Sequence, residues 1–188
     1  MSVLHDPTVL PDDLPAPVDD GAARHLTGLK LPSLPLAATD GARVDLAALG
    51  GRTIIYIYPR TGRPGQPLPT GWDAIPGARG CTPQSCSFRD HSAELKRLGV
   101  AHLFGLSTQD TAYQREVVER LHLPFAILSD APLAITRALR LPTFDVDGMT
   151  LIKRMVLVID DGAISKVFYP VFPPDKSAQD VVDWLKAA

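Results

Sequence analysis

Along the chain, Thr53-Ile54-Ile55-Tyr56-Ile57-Tyr58 is apolar or β-branched almost throughout, which predicts a central strand buried on both faces and ended by Pro59. Shorter elements surround it. Upstream, 34–37 and Val44-Asp45-Leu46 flank an Asp40-Gly41 turn and predict a small N-terminal β-hairpin. Downstream, 100–106 reads as a strand, 111–121 as a helix, 125–128 as a strand and 132–139 as a short helix. Residues 155–159 form another buried strand, which Asp161-Gly162 turns back into 164–169. Ser177 with Asp180 reads as a capping pair opening a last helix that carries Val181, Val182, Trp184 and Leu185. Alternation of this kind defines an α/β protein with a central mixed β-sheet and helices on both faces.

Two stretches lack any period. Residues 1–28 hold Asp6, Asp12, Asp13, Asp19 and Asp20 among several prolines, and predict an extended acidic N-terminal arm that adds nothing to the core. The globular domain is then 29–188. Residues 63–77 contain Pro64, Gly65, Pro67, Pro69, Gly71, Trp72 and Pro76, a composition in which no regular element survives. They read as an insertion before a helix that Thr82 caps, Pro83 begins, Phe88, Leu95 and Leu98 continue, and Gly99 stops. Trp72 either covers a pocket or packs on the body of the domain.

Composition narrows the function classes. A chain of 188 residues with 45% hydrophobic content closes one core, and a net charge of −2 without a basic run argues against nucleic acid as a partner. Met1-Ser2-Val3-Leu4-His5-Asp6 lacks a positive region followed by an apolar stretch, and no apolar run approaches a bilayer span, so a soluble, cytoplasmic protein without membrane association is expected. Its two cysteines, Cys81 and Cys86, stand five apart. Closing so short a loop removes little entropy from the unfolded chain, and a zinc site would need a second ligand pair, so neither a structural disulfide nor a metal explains them. His91 lies about 15 Å along the same helix from Cys81, too far for a Cys-His relay.

Redox chemistry remains. Amide donors at a helix N-terminus and a nearby cation favour a thiolate, and Cys81 occupies such a position. Thiolate attack on a peroxide leaves a sulfenic acid that a second thiol condenses into a disulfide, and Cys86 is the only candidate for that second thiol. In regular helix the two Cα atoms stand about 7.5 Å apart along the axis, beyond the bridging limit of about 7 Å, so closing the bond requires the first turn to unwind. A thioredoxin-like disulfide oxidoreductase, with its Cys-x-x-Cys, fits the spacing less well. A redox sensor on the same fold is the rival outside catalysis.

Gly80-Cys81-Thr82-Pro83-Gln84-Ser85-Cys86 with Phe88-Arg89-Asp90, preceded by Tyr58-Pro59, resembles the peroxiredoxins of the Q type, also called bacterioferritin comigratory proteins. Leu106-Ser107-Thr108-Gln109-Asp110, Pro124-Phe125-Ala126-Ile127-Leu128-Ser129-Asp130 and the segment 154–160 match family segments in order, and the likeness runs from about residue 29 to the end. The resemblance implies a thioredoxin-like fold, Cys81 as peroxidatic and Cys86 as resolving cysteine, and Arg154 as the pocket arginine. It further implies hydrogen peroxide or small organic hydroperoxides as substrates, thioredoxin or a similar dithiol as reductant, a monomer, and no metal, flavin or haem. Thr82 and Gln84, in the first helical turn, are candidate substrate-binding residues. The family pattern carries a proline seven residues and a threonine three residues before the first cysteine, where this chain has Ala74 and Ala78. Thr61, beside Pro59, is the candidate replacement for the lost hydroxyl. Arg79 and Arg89 read as solvated charges flanking the helix.

Overall fold

A computed structural model describes residues 6–188. Among the described residues, nine strands and four α-helices follow in chain order: β1 Leu36–Ala38, β2 Arg43–Val44, β3 Arg52–Ile57, α1 Cys81–Arg97, β4 Val100–Ser107, α2 Thr111–Leu121, β5 Ile127–Ser129, α3 Ala134–Leu139, β6 Thr143–Val146, β7 Met149–Ile152, β8 Met155–Asp160, β9 Ala163–Phe168 and α4 Ser177–Ala187. Seven strands form one sheet in the order β2-β1-β5-β4-β3-β8-β9. It is mixed: β3 runs parallel to β4 and antiparallel to β8, while β4 and β5 are parallel.

The β3 pattern explains the layering. Successive side chains of a strand point to opposite faces, and Ile55 and Ile57 enter one apolar cluster while Ile54 and Tyr56, with Tyr58 beyond the strand, enter another. The second cluster receives α1 through Phe88 and Leu95, α2 through Val117 and Leu121, and α4 through Val181, Val182 and Leu185. The first receives α3 through Ile135 and Leu139. Tyr56 stacks on Phe88 with ring centroids 4.6 Å apart and donates to Ser85 Oγ at 3.2 Å, so the central strand holds the start of α1 from beneath. Gly105 on β4 makes room for it: a Cβ there would lie 2.7 Å from the Tyr56 hydroxyl.

Four expectations need correction. The arm was expected to stay out of the core, yet Ala23 and Leu26 are buried in the cluster beneath α3, with Leu26 fully enclosed. It is also pinned further out, where Asp20 accepts from Lys153 Nζ, from the Tyr169 hydroxyl and from the Ala22 amide. These partners, the Lys153 hydrogen bond foremost, hold the Asp20 carboxyl below the usual carboxylate range. A depressed carboxylate stabilises the fold above its unfolded pKa, so this clasp is complete at neutral pH and is lost as acid protonates it.

The helix after the insertion starts at Cys81 with Gly80 as N-cap, two residues ahead of the expected Thr82 cap, because Gly80 takes up the left-handed φ of 105° that turns the chain there. Ser177 does not cap α4 through its side chain, since the segment Pro174–Lys176 already forms a 3-10 turn leading directly into the helix. A hairpin, β6 with β7, was not anticipated; Asp147 and Gly148, both with positive φ, make its turn.

The core role of the arm is testable. Leu26→Ala is expected to cost about 2–5 kcal/mol in denaturant unfolding, as for other fully buried leucines, whereas a surface position would stay within about 0.5 kcal/mol.

Candidate active site

The site is assembled by one side chain. Arg154 sits between β7 and β8, 3% exposed, in a short connection whose preceding residue, Lys153, donates its amide to the Pro142 carbonyl at 2.8 Å. Its Nη2 donates to the carbonyl oxygens of Ala78 and Arg79, each at 3.0 Å, and lies 3.3 Å from Cys81 Sγ. Its Nη1 donates to Gln84 Oε1, and the Gln84 amide nitrogen donates in turn to Ser177 Oγ at 3.2 Å. Guanidinium geometry accounts for this: a planar fork of N–H groups can meet several acceptors at once, and a buried cation requires them. Nε alone finds no protein partner among the described residues.

Local structure brings the acceptors into reach. The turn Ala78-Arg79-Gly80 presents two carbonyls toward Arg154 because Gly80 reverses the chain just before α1. No other residue fits there, since a Cβ on Gly80 would lie 2.3 Å from Pro174 Cγ and 2.9 Å from Leu10 Cδ2. Cys81 is the first residue of α1 and is buried, its sulfur 3.6 Å from the Ala78 carbonyl and 3.3 Å from the guanidinium. The sulfur thus stands at the N-terminus of α1 in contact with a buried cation.

Of the residues singled out from sequence, Cys81, Gln84 and Arg154 meet here. Thr82 is buried in the same helical turn. Cys86 lies on α1 as well, and five helical residues place it about 7.5 Å along the axis and about 140° around it from Cys81. Both thiols are free. Cys86 is half-buried against the cluster that holds Phe88 and Tyr56, and that burial pushes its thiol pKa up. Thr61 is engaged elsewhere: its hydroxyl and its amide both donate to Gln109 Oε1, at 3.1 and 3.0 Å, and its carbonyl accepts from Gln109 Nε2.

The insertion explains Ala78. Trp72 is buried with Ala78, Val146 and Leu151, joined by Leu68, Ile75, Phe144 and Met149, so the insertion packs on the unanticipated hairpin. The Ala78 methyl belongs to that apolar cluster, where a hydroxyl would be out of place, while its carbonyl serves Arg154. Arg79 is not a free flank charge: it pairs with Asp73 at 2.7 Å and donates to the Val9 carbonyl, tying turn, insertion and arm together. Ser177 was missed as a site residue because its place beside Gln84 depends on how α4 packs on α1, which local pattern does not encode.

A thiol at the start of a helix beneath a buried arginine, on a mixed sheet of this order, defines a thiol-based redoxin; the Redoxin family model matches residues 24–182, and the chain belongs to that family. It is 29% identical over 185 residues to the chloroplastic peroxiredoxin Q of Gentiana triflora, covering 95% of this chain and 77% of that one. It is 30% identical over 162 residues to the chloroplastic peroxiredoxin Q of Oryza sativa subsp. japonica, covering 85% and 66%. Among solved structures, peroxidoxin BcpB of Mycobacterium tuberculosis shares the fold with a TM-score of 0.68 at 24% identity, covering 86% of this chain and 96% of that one. Within the family this is a Q-type peroxiredoxin, a peroxidase.

Replacing Arg154 tests the assembly. Arg154→Lys keeps the charge but loses the fork, and peroxide turnover is expected to fall about 10²-fold or more in a stopped-flow assay. The same variant leaves carbonyls of the turn unpaired and should lower unfolding stability by about 1–3 kcal/mol.

Proposed function

We propose that the protein reduces hydrogen peroxide and small organic hydroperoxides with Cys81 as the attacking thiolate and Cys86 as the resolving thiol. The observation that carries this reading is the 3.3 Å contact between Arg154 Nη2 and Cys81 Sγ at the start of α1, with the only other cysteine further along the same helix.

The Cys81 thiolate attacks the terminal oxygen of ROOH, the O–O bond breaks, and a proton carries the departing alkoxide or hydroxide away as ROH or water. Sulfur is oxidised to a sulfenic acid and the peroxide is reduced. Arg154 holds the reacting atoms in line and stabilises charge as it moves from sulfur to the leaving oxygen. The start of α1 then unwinds, the Cys86 thiolate attacks the sulfenic sulfur, and hydroxide leaves as water with one proton, giving the Cys81–Cys86 disulfide. Thioredoxin or a similar dithiol reduces this bond by exchange and is itself oxidised. The monomer suffices, since both cysteines come from one chain. A reducing compartment such as the cytoplasm supplies the reductant.

Peroxide consumption coupled to a thioredoxin system should be abolished by Cys81→Ser. Cys86→Ser should oxidise once to a sulfenic acid, detectable by mass spectrometry, and then stop turning over with thioredoxin. Full activity in Cys81→Ser would overturn the mechanism.

Resolution carries its own pH signature. Burial raises the Cys86 pKa in the helix, and only the thiolate attacks, so resolution accelerates as pH rises. If unwinding exposes Cys86 first, the midpoint falls near the ordinary thiol value of about 8.5. Rapid-quench measurement of sulfenic acid decay against pH should give that value, and a midpoint more than a unit higher would place the attack inside the packed helix.

A further inference from the structure

Arg154 can only donate hydrogen bonds, so the Gln84 side chain must turn its carbonyl oxygen toward it, and Nη1 donates to that Oε1. The other end of the same amide carries two N–H groups. Gln84 is fully enclosed, and those groups need an acceptor that water cannot supply. Ser177 Oγ, 3.2 Å from Nε2 and itself 1% exposed, is the one acceptor that meets them among the described residues. The two ends of the amide cannot be exchanged, because that would set N–H against N–H at the guanidinium.

We propose that Ser177 is a positioning residue for the peroxide reaction: its hydroxyl holds the Gln84 amide in the orientation that presents Oε1 to Arg154, and thereby fixes where the guanidinium stands beside Cys81. The proposal rests on the peroxidase reading above. Ser177 acts through other side chains, along a path from its Oγ to Gln84 Nε2, from Gln84 Oε1 to Arg154 Nη1, and from Arg154 Nη2 to Cys81 Sγ.

The hydroxyl is itself held from two sides. Ahead of it, the 3-10 turn Pro174–Lys176 packs against the start of α1, where a Cβ on Gly80 would lie 2.3 Å from Pro174 Cγ. Behind it, α4 is fastened along α1: the Ala178 amide donates to Ser87 Oγ at 3.3 Å, the His91 ring meets Gln179 Oε1 at 3.1 Å, and Lys186 pairs with Glu94 at 2.7 Å. The segment from Pro174 to Ser177 therefore backs both sets of acceptors around Arg154, the carbonyls of the Gly80 turn and the Gln84 side chain. Electrostatic stabilisation of a transition state depends on donors already aimed at the moving charge, and a guanidinium loses that aim when one of its acceptors turns away.

The rate at which hydrogen peroxide first oxidises Cys81, followed by mass spectrometry under excess peroxide, tests this role. Ser177→Ala leaves the Gln84 donor buried and unpaired, and the rate is expected to fall on the order of tenfold. Ser177→Thr keeps the acceptor and should recover most of that loss. A Gln84→Met background has no amide to orient, so adding Ser177→Ala there should change the rate by less than about twofold, as for two residues that act through one contact. Lys186→Ala removes a different contact between the same two helices and should stay within about twofold of the wild type. A Ser177→Ala rate within about twofold of the wild type, no recovery in Ser177→Thr, a tenfold loss that persists beside Gln84→Met, or an equal loss in Lys186→Ala overturns the proposal. Failure of the peroxidase reading is separately visible, because Cys81 of the wild type would then not be oxidised by peroxide.

Discussion

Burial of a single guanidinium governs this structure. Arg154 is withdrawn from water, and a cation in that position must be met by acceptors or the fold does not hold. Two of the acceptors are main-chain carbonyls of the turn before α1, one is the side chain of Gln84, and the last is the sulfur. The turn can supply them only because Gly80 adopts φ 105° in a space closed by Pro174 and Leu10. One electrostatic requirement therefore fixes a turn, the first residue of a helix, and the position of a thiol. Peroxide chemistry uses a geometry that the buried charge already demands.

How much of this was legible depended on whether the cause was local. β3 was readable because a strand covered on both faces needs apolar side chains at every position, and α2 was readable at its observed limits because Asp110 caps it and His122 closes it with a left-handed residue. The β6–β7 hairpin carried a signal that was passed over: Asp147-Gly148 is a turn pair, but strands of four residues each give the alternation little length to show itself. Leu26 gave none, since a lone leucine among polar residues looks the same whether it is exposed or enclosed.

The site divides the same way. Cys81 and Gln84 share one helical turn, and that turn also determines their proximity; Arg154 came from the family resemblance and not from any pattern of its own. Ser177 read as a cap, and its hydroxyl instead anchors Gln84 across an interface between two helices. Thr61 shows the converse error, because adjacency to Pro59 suggested the pocket while Gln109, 48 residues away, takes its hydrogen-bonding groups. Ala78 looked like a missing hydroxyl. Its methyl is instead required by the Trp72 cluster that the insertion brings, which is a change in packing before it is a change in chemistry.

The order at the start of α1 conflicts with the chemistry proposed for it. Cys81 and Cys86 cannot bond while both are helical, yet Thr82, Gln84 and Ser85 are buried, Tyr56 holds Ser85, Ser177 holds Gln84, and Arg79 ties the preceding turn to Asp73 and the arm. Unwinding has to break several of these contacts together, which makes it a cooperative local opening rather than the fraying of a free helix end. On the mechanism proposed above, oxidation weakens one restraint, because the attacking thiolate gives way to a neutral sulfenic acid beside Arg154. That loss biases the helix start toward opening only after peroxide has reacted. On the mechanism proposed above, the contacts that hold the reduced thiol ready also set how long a sulfenic acid on Cys81 persists before Cys86 reaches it.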